Sequence, residues 1–158
     1  MNLVTGKDNK ILRQPTEPVE KVTPEIRELI RKMKKTMKES KVPAVGLAAP
    51  QIGINKQIFV VELLYDDGEK GPEFAMINPK IIYASKETNT MEEGCLSIPK
   101  TYAEVERHKR IVVEFLDEMG RKKKIKASGL LARIFQHEID HLHGKLTIDS
   151  AKNIKEIK

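Results

Sequence analysis

Apolar residues recur at helical spacing early in the chain: Ile26, Leu29, Ile30, Met33 and Met37 share one stripe, while Arg31, Lys32, Lys34, Lys35 and Lys38 take the remaining faces. Thr23-Pro24 offers an N-cap followed by a proline in the first turn, where a missing N–H costs nothing. The pattern therefore predicts an N-terminal amphipathic helix ending near Lys41-Val42-Pro43. Its lysine face reads as solvated and its methionines as core filler.

From Val42 to about Ala127 the pattern becomes β-like. The predicted strands are Gln57 to Glu62, Phe74 to Ile77, Lys80 to Tyr83, Tyr102 to Arg107, Arg110 to Leu116 and Arg121 to Lys126. Turn chemistry separates them at Asp66-Asp67-Gly68, Asn78-Pro79 and Met119-Gly120. The basic run Arg121-Lys122-Lys123-Lys124 after Gly120 suits an exposed edge strand protected by charge.

A second helix is predicted from Gly129 to His143, capped by Ser128 and stopped at Gly144. Leu130, Leu131, Ile134, Phe135, Ile139 and Leu142 make it apolar over most of its circumference, so it should be central and buried. Several short strands between two helices give an α+β fold: short, mainly antiparallel strands packed around a buried C-terminal helix, with the amphipathic helix at the N-terminal end.

Composition narrows the picture. A chain of 158 residues suits one domain spanning residues 1–158. With 39% hydrophobic and 33% charged residues, wholesale disorder and a membrane-spanning protein are both disfavoured. The N-terminus lacks a secretory signal, so the cytoplasm is the default compartment, or an organelle matrix if a transit peptide has been removed. Lys and Arg outnumber Asp and Glu 29 to 23, a net charge of +6, which raises the question of a nucleic-acid partner. The one cysteine, Cys95, cannot form an intrachain disulfide.

The buried helix carries the chemistry. His137-Glu138-Ile139-Asp140-His141 has the HExxH form, which places two imidazoles at i and i+4 on one helical face. Two unpaired imidazoles in an interior are costly, and a shared metal ion removes that cost. Glu138 points elsewhere and suits a base acting on a metal-bound water. The plainer alternative is a pair of hydrogen-bonded core histidines, but the pattern rarely arises by chance. His143 at the helix end and His108 between strands read as polar surface residues.

A third ligand is needed. The zinc proteases with HExxHxxGxxH take a later histidine, but position 147 here is Thr, and after His141 the only acidic residues are Asp149 and Glu156. The third ligand should therefore lie upstream. Glu92-Glu93-Gly94-Cys95-Leu96-Ser97 holds the only thiol. Cys95 could simply pack, or as a thiolate it could complete a Cys plus two-His site with an open fourth position.

Three segments together resemble peptide deformylase: Val45-Gly46-Leu47-Ala48-Ala49-Pro50-Gln51, Glu93-Gly94-Cys95-Leu96-Ser97 and Gln136-His137-Glu138-Ile139-Asp140-His141-Leu142. They occur in that family's order, and the likeness covers nearly the whole chain. The resemblance implies hydrolytic removal of the N-formyl group from the initiator formyl-methionine of nascent polypeptides, with release of formate. It implies Cys95, His137 and His141 as metal ligands, Glu138 as general acid/base, and Gln51 with the Leu96 N–H as oxyanion donors. It places Val45, Gly46, Glu93 and Gly94 beside the substrate, and Met91, Leu130, Arg133 and Ile134 near the methionine side chain.

The implied cofactor is one divalent metal ion, Fe2+ in the cell, with Zn2+, Ni2+ or Co2+ as substitutes the ligand set also suits. The implied partners are N-formyl-methionyl nascent peptides and, transiently, the ribosome; no DNA or membrane partner is expected. The chain departs from the family in two respects. Ala44 stands where many members have Gly, which narrows backbone freedom at the substrate edge, and the tail after His141 is shorter than in members with a long C-terminal helix. Two alternatives stand beside this reading: a metallopeptidase using the same ligands, and a basic ribosome- or RNA-binding module with a structural metal, which calls for four protein ligands.

Overall fold

The computed structural model describes residues 2–40, 45–64 and 70–157. In chain order the elements are α1 (Lys10–Arg13), α2 (Pro24–Lys38), β1 (Gly46–Ala48), a 3-10 turn at Ala49–Ile52, β2 (Ile58–Leu64) and β3 (Lys70–Ala84). They continue with β4 (Thr88–Cys95), β5 (Ile98–His108), β6 (Arg110–Leu116), β7 (Lys122–Ser128), α3 (Gly129–Leu142), a second 3-10 turn at Thr147–Asp149 and β8 (Lys152–Glu156). One sheet has the order β1-β2-β3-β6-β7 and the other β4-β5-β8, with all pairings between these strands antiparallel.

The continuous apolar run Ile58-Phe59-Val60-Val61 is explained by burial of β2 on both faces, which is expected of a strand covered by helices on both sides. Ile58 and Val60 face α2, meeting Ile26, Ile30, Met33 and Met37. Phe59 and Val61 face the other way, onto Ile134, Phe135, Ile139 and Leu142 of α3. Phe135 packs between Phe59 at 5.9 Å and Phe74 at 5.4 Å, the latter edge-on. Burying an aromatic of this size contributes about 2–3 kcal/mol, so the Phe cluster is a principal anchor of α3.

The α2 cap forms as expected: the Thr23 side chain accepts from the Ile26 N–H and Pro24 occupies the first turn. The helix ends at Lys38, with Glu39 as its C-cap. The expected stop near Lys41-Val42-Pro43, Ala44 and the turn at Asp66-Asp67-Gly68 lie outside the described residues. β7 is an edge strand, as its lysines suggested.

Three expectations are corrected. Asn78-Pro79 is not a turn between two short strands but an irregularity within the 15-residue β3, across which the register with β6 shifts. Asn78 takes φ 51, and its side-chain amide accepts from the Val19 N–H and donates to the Val19 carbonyl, both at 2.8 Å. Pro79 cannot donate to a ladder, so the strand kinks there and continues. Ser128 gives α3 no side-chain cap, because it is held in the β6–β7 ladder opposite Arg110 while Gly129 turns the chain at φ 60. Finally, β1, β4 and β8 were not foreseen as strands: β1 spans only three residues, and β4 and β8 lack an apolar alternation.

Gly144 ends α3 at φ 74, and a Cβ there would collide with the backbone carbonyl of Arg13. Both the left-handed backbone and the close approach demand glycine. Gly144→Ala is therefore expected to lower stability by about 2 kcal/mol or more, measured as a fall in the urea midpoint at unchanged slope; an unchanged midpoint would contradict this.

Candidate metal centre

Cys95 ends β4, and the two-residue turn Leu96-Ser97 returns the chain into β5, where Ile98 pairs with Cys95. Across from this hairpin, α3 presents His137 and His141 one turn apart, their rings 5.0 Å between centroids. The donor atoms of Cys95, His137 and His141 all lie within 4.8 Å of one another, with Cys95 Sγ 3.3 Å from His141 Nε2. Gln51 arrives from the 3-10 turn after β1. Its Oε1 accepts from the Ala48 N–H at 2.9 Å, and its Nε2 faces Ser97 Oγ at 3.2 Å and Cys95 Sγ at 3.7 Å. The N-terminal segment straps the two loops from behind: the Val4 N–H donates to the Gln51 carbonyl and the Gly6 N–H to the Ser97 carbonyl.

Glu93 organises the other side. Its carboxylate receives two bonds from Arg107 at 2.8 and 2.9 Å and one from Arg133 at 2.5 Å, and it meets His137 Nδ1 at 3.0 Å. Burial opposes ionisation of Glu93, but the hydrogen bonds from His137 and Arg107 outweigh it and hold the carboxyl down at about 2. With Nδ1–H donated to Glu93, His137 turns its Nε2 lone pair toward Cys95 and His141, an arrangement that fixes tautomer and ring orientation for a metal ligand. Arg107 also bonds Asp140 at 2.8 Å, while Arg133 bonds the Val105 carbonyl at 2.9 Å and Asn89 at 2.8 Å.

Glu138 is buried and its Oε1 has no hydrogen-bond partner. Burial pushes its carboxyl up to about 7, with nearby positive charge pulling only part of the way back. Gly46 makes room for it, since a Cβ at that position would stand 2.5 Å from Glu138 Oε2. Burial holds His141 well below the usual imidazole range, which keeps it neutral with a lone pair to give. A thiolate and two imidazoles converging beside an unsatisfied carboxylate oxygen fit one divalent cation with an open position. Among the described residues no fourth His, Cys, Asp or Glu joins the group, and His143 is exposed at the helix end, so a closed structural site is not formed.

The centre opens into a cleft of about 1150 Å3. Val45, Gly46, Met91, Glu93, Gly94, Leu96, Leu130, Arg133 and Ile134 all line it, beside Cys95, Gln51, His137 and Glu138. Leu130 is 59% exposed there and Met91 46%, an apolar surface held open to solvent. Arg133, by contrast, is 4% exposed and its guanidinium is committed to Glu93, Asn89 and Val105. Sequence reading missed Arg107, Asp140 and Ser97. Arg107 did leave a signal, because Ala103, Val105 and Arg107 alternate onto the inward face of β5, a phase that buries a charge only where a partner waits.

An antiparallel α+β scaffold that sets a thiolate and paired imidazoles beside a buried carboxylate in an open cleft defines a metal-dependent hydrolase. The family model described as polypeptide deformylase matches residues 1–156. The chain is 49% identical to the peptide deformylase of Thermosynechococcus vestitus over 92% of its length and 76% of that protein, and 46% identical to that of Rhizobium meliloti over 92% and 82%. Among solved structures it is similar to the peptide deformylase of Synechococcus elongatus in complex with actinonin, with TM-score 0.88 and 42% identity over 97% of this chain and 79% of that one. The Thermotoga maritima peptide deformylase gives TM-score 0.86 and 39% identity over 96% and 97%. The chain belongs to the polypeptide deformylase family, and its activity is removal of the N-formyl group from nascent polypeptides.

Replacing Glu93 by Gln removes the charge that faces two guanidinium groups and orients His137. Glu93→Gln is expected to weaken metal binding by about ten- to a hundredfold, read by competition with a coloured chelator; an unchanged affinity would show that His137 is oriented by something else.

Proposed function

We propose that residues 1–158 form one catalytic domain that deformylates N-formyl-methionyl peptides in the cytoplasm, using a divalent cation held by Cys95, His137 and His141. The convergence of these three donors within 4.8 Å, beside a buried carboxylate with an unpaired oxygen, carries the reading. No described helix is long and apolar enough to cross a membrane.

A formamide is a poor electrophile, and a cation held by Cys95, His137 and His141 would, when bound, acidify a water and help polarise the formyl oxygen. Glu138 accepts the proton of the attacking water and delivers it to the departing amine, a shuttle suited to a buried carboxyl with an unpaired oxygen. The Gln51 amide, held through its oxygen by the Ala48 N–H, donates to the negative charge that develops on the formyl oxygen, and the Leu96 N–H in the hairpin turn is the second donor. Val45 and Gly46 border the peptide backbone, with Glu93 and Gly94 on the opposite strand, and Met91, Leu130 and Ile134 receive the methionine side chain. Arg133 shapes that pocket from below through its grip on Glu93 and Asn89.

The ligand set suits Zn2+, Fe2+, Co2+ and Ni2+ alike, and the likeness to the deformylase family favours Fe2+ as the cellular ion. The net charge of +6 is compatible with a transient ribosome contact. Glu138→Ala is expected to retain one metal per chain while losing turnover of a formyl-Met peptide by about a hundredfold or more, measured by metal quantification and formate release on the same sample. Retained turnover at full metal content would remove Glu138 from its role. Activity is expected to decay in air with iron bound and to persist with nickel; equal decay of the two forms would contradict a ferrous enzyme with an oxidisable centre.

A further inference from the structure

β3, β6 and β7 make up one side of the larger sheet, and its two faces are unlike. Ile111, Val113 and Ala127 point inward and pack with the apolar residues of α3. On the opposite face α2 packs against Leu47, Ile58, Val60 and Ile77, with Leu116 at the margin. Past Leu116 that face is open to solvent.

Strand pairing places what stands there. Lys80 lies opposite Glu114, and Glu114 opposite Lys124. In the next row Tyr83 lies opposite Val112, and Val112 opposite Lys126; Lys122, opposite Leu116, belongs to the row nearer α2. Partners in register share a face and alternate residues return to it, so Lys122, Lys124 and Lys126 follow one another about 7 Å apart along β7. Glu114 pairs with Lys124 at 3.7 Å, which leaves Lys80, Lys122 and Lys126 as surplus positive charge on an exposed surface. The register with β6 slips between Ile81 and Tyr83, and this bulge turns two consecutive side chains outward, Ile82 at 41% and Tyr83 at 54% exposed.

Protection of a sheet edge accounts for lysines on β7. It does not account for Lys80, two strands inside that edge, or for an aromatic ring held in solvent among cations. Positive charge along a strand beside an exposed ring can hold an unpaired nucleic acid strand, because lysines meet phosphates while the ring stacks on a base. A duplex keeps its bases stacked on one another and offers the ring no partner. None of these residues lines the catalytic cleft, so an occupant here leaves that cleft free.

We propose that the open face of β3, β6 and β7 binds single-stranded RNA, with Tyr83 stacking on a base and Lys80, Lys122 and Lys126 meeting phosphates. The inference gives the transient ribosome contact a surface and a chemistry, and it rests on the deformylase reading only for the ribosome as the source of that RNA.

The test titrates the metal-loaded enzyme against a labelled oligouridylate about a dozen nucleotides long, followed by fluorescence anisotropy across a salt series. Binding is expected at low salt, tighter than to an RNA duplex of equal length. Tyr83→Ala should weaken it by about fivefold or more, and Tyr83→Phe should keep it. Replacing Lys80, Lys122 and Lys126 together by Gln should lower the slope of log affinity against log salt by about two, whereas Lys32→Gln with Lys35→Gln on α2 should leave that slope unchanged. All these side chains are exposed, and formate release from a formyl-Met peptide should stay at the unaltered rate in every variant. Absence of binding at low salt, or full affinity in Tyr83→Ala, would overturn the RNA face. Tighter binding to phosphatidylglycerol vesicles, lost in the same variants, would overturn it in favour of a lipid surface. Failure of the unaltered enzyme to release formate would instead overturn the deformylase reading.

Discussion

Glu93 joins three elements through one carboxylate. Arg107 reaches it from β5, Arg133 and His137 from α3, and Glu93 itself sits on β4 two residues before the Cys95 thiol. Its side chain is 8% exposed and the two arginine side chains 6% and 5%, so none of these charges is solvated well enough to stand alone. In such a cluster the attraction between partners offsets desolvation only if every member is in place, and removal of one leaves the others uncompensated. The cluster therefore fixes how the hairpin that carries the thiolate sits against the helix that carries the imidazoles.

The remaining parts of the site depend on that alignment. With the hairpin and α3 held together, His137 is oriented through its Nδ1, and Glu138 is driven into the space that Gly46 leaves beside it. Gln51 joins through short bonds of its own loop and through the N-terminal strap, so the oxyanion donor and the thiolate are tied from two directions. Stability and chemistry are thus arranged in layers: apolar packing of Phe59, Phe74 and Phe135 positions α3 as a body, and the buried ion cluster sets its rotation and height.

Much of this could be read from the residues. Helical spacing revealed α2 and α3, and the apolar run at Ile58–Val61 and the alternation through Arg110–Leu116 revealed the central strands. The His137/Glu138/His141 pattern announced a metal because two imidazoles on one buried face need a partner. What escaped was determined by tertiary pairing. β4 and β8 are polar and gain their extended form from ladder bonds to β5, which no local pattern encodes. Asn78-Pro79 has turn chemistry that was overridden when the Asn78 side chain found the backbone of Val19 across the fold. Arg107 and Arg133 gave weak signals because a buried arginine is recognisable only once its carboxylate is known.

The ligands lie far apart in the chain yet not equally so. The Cys95 hairpin closes through a two-residue turn and local pairing, and such contacts form early and quickly. The imidazoles arrive on α3, near the end of the described chain, and reach the thiol only through contacts separated by more than forty positions. Closing so long a loop costs more chain entropy than the local pairing of the hairpin does. Metal capture is therefore a report on completed tertiary structure: a chain that has formed its hairpin but not docked α3 offers a lone sulfur and holds no ion tightly.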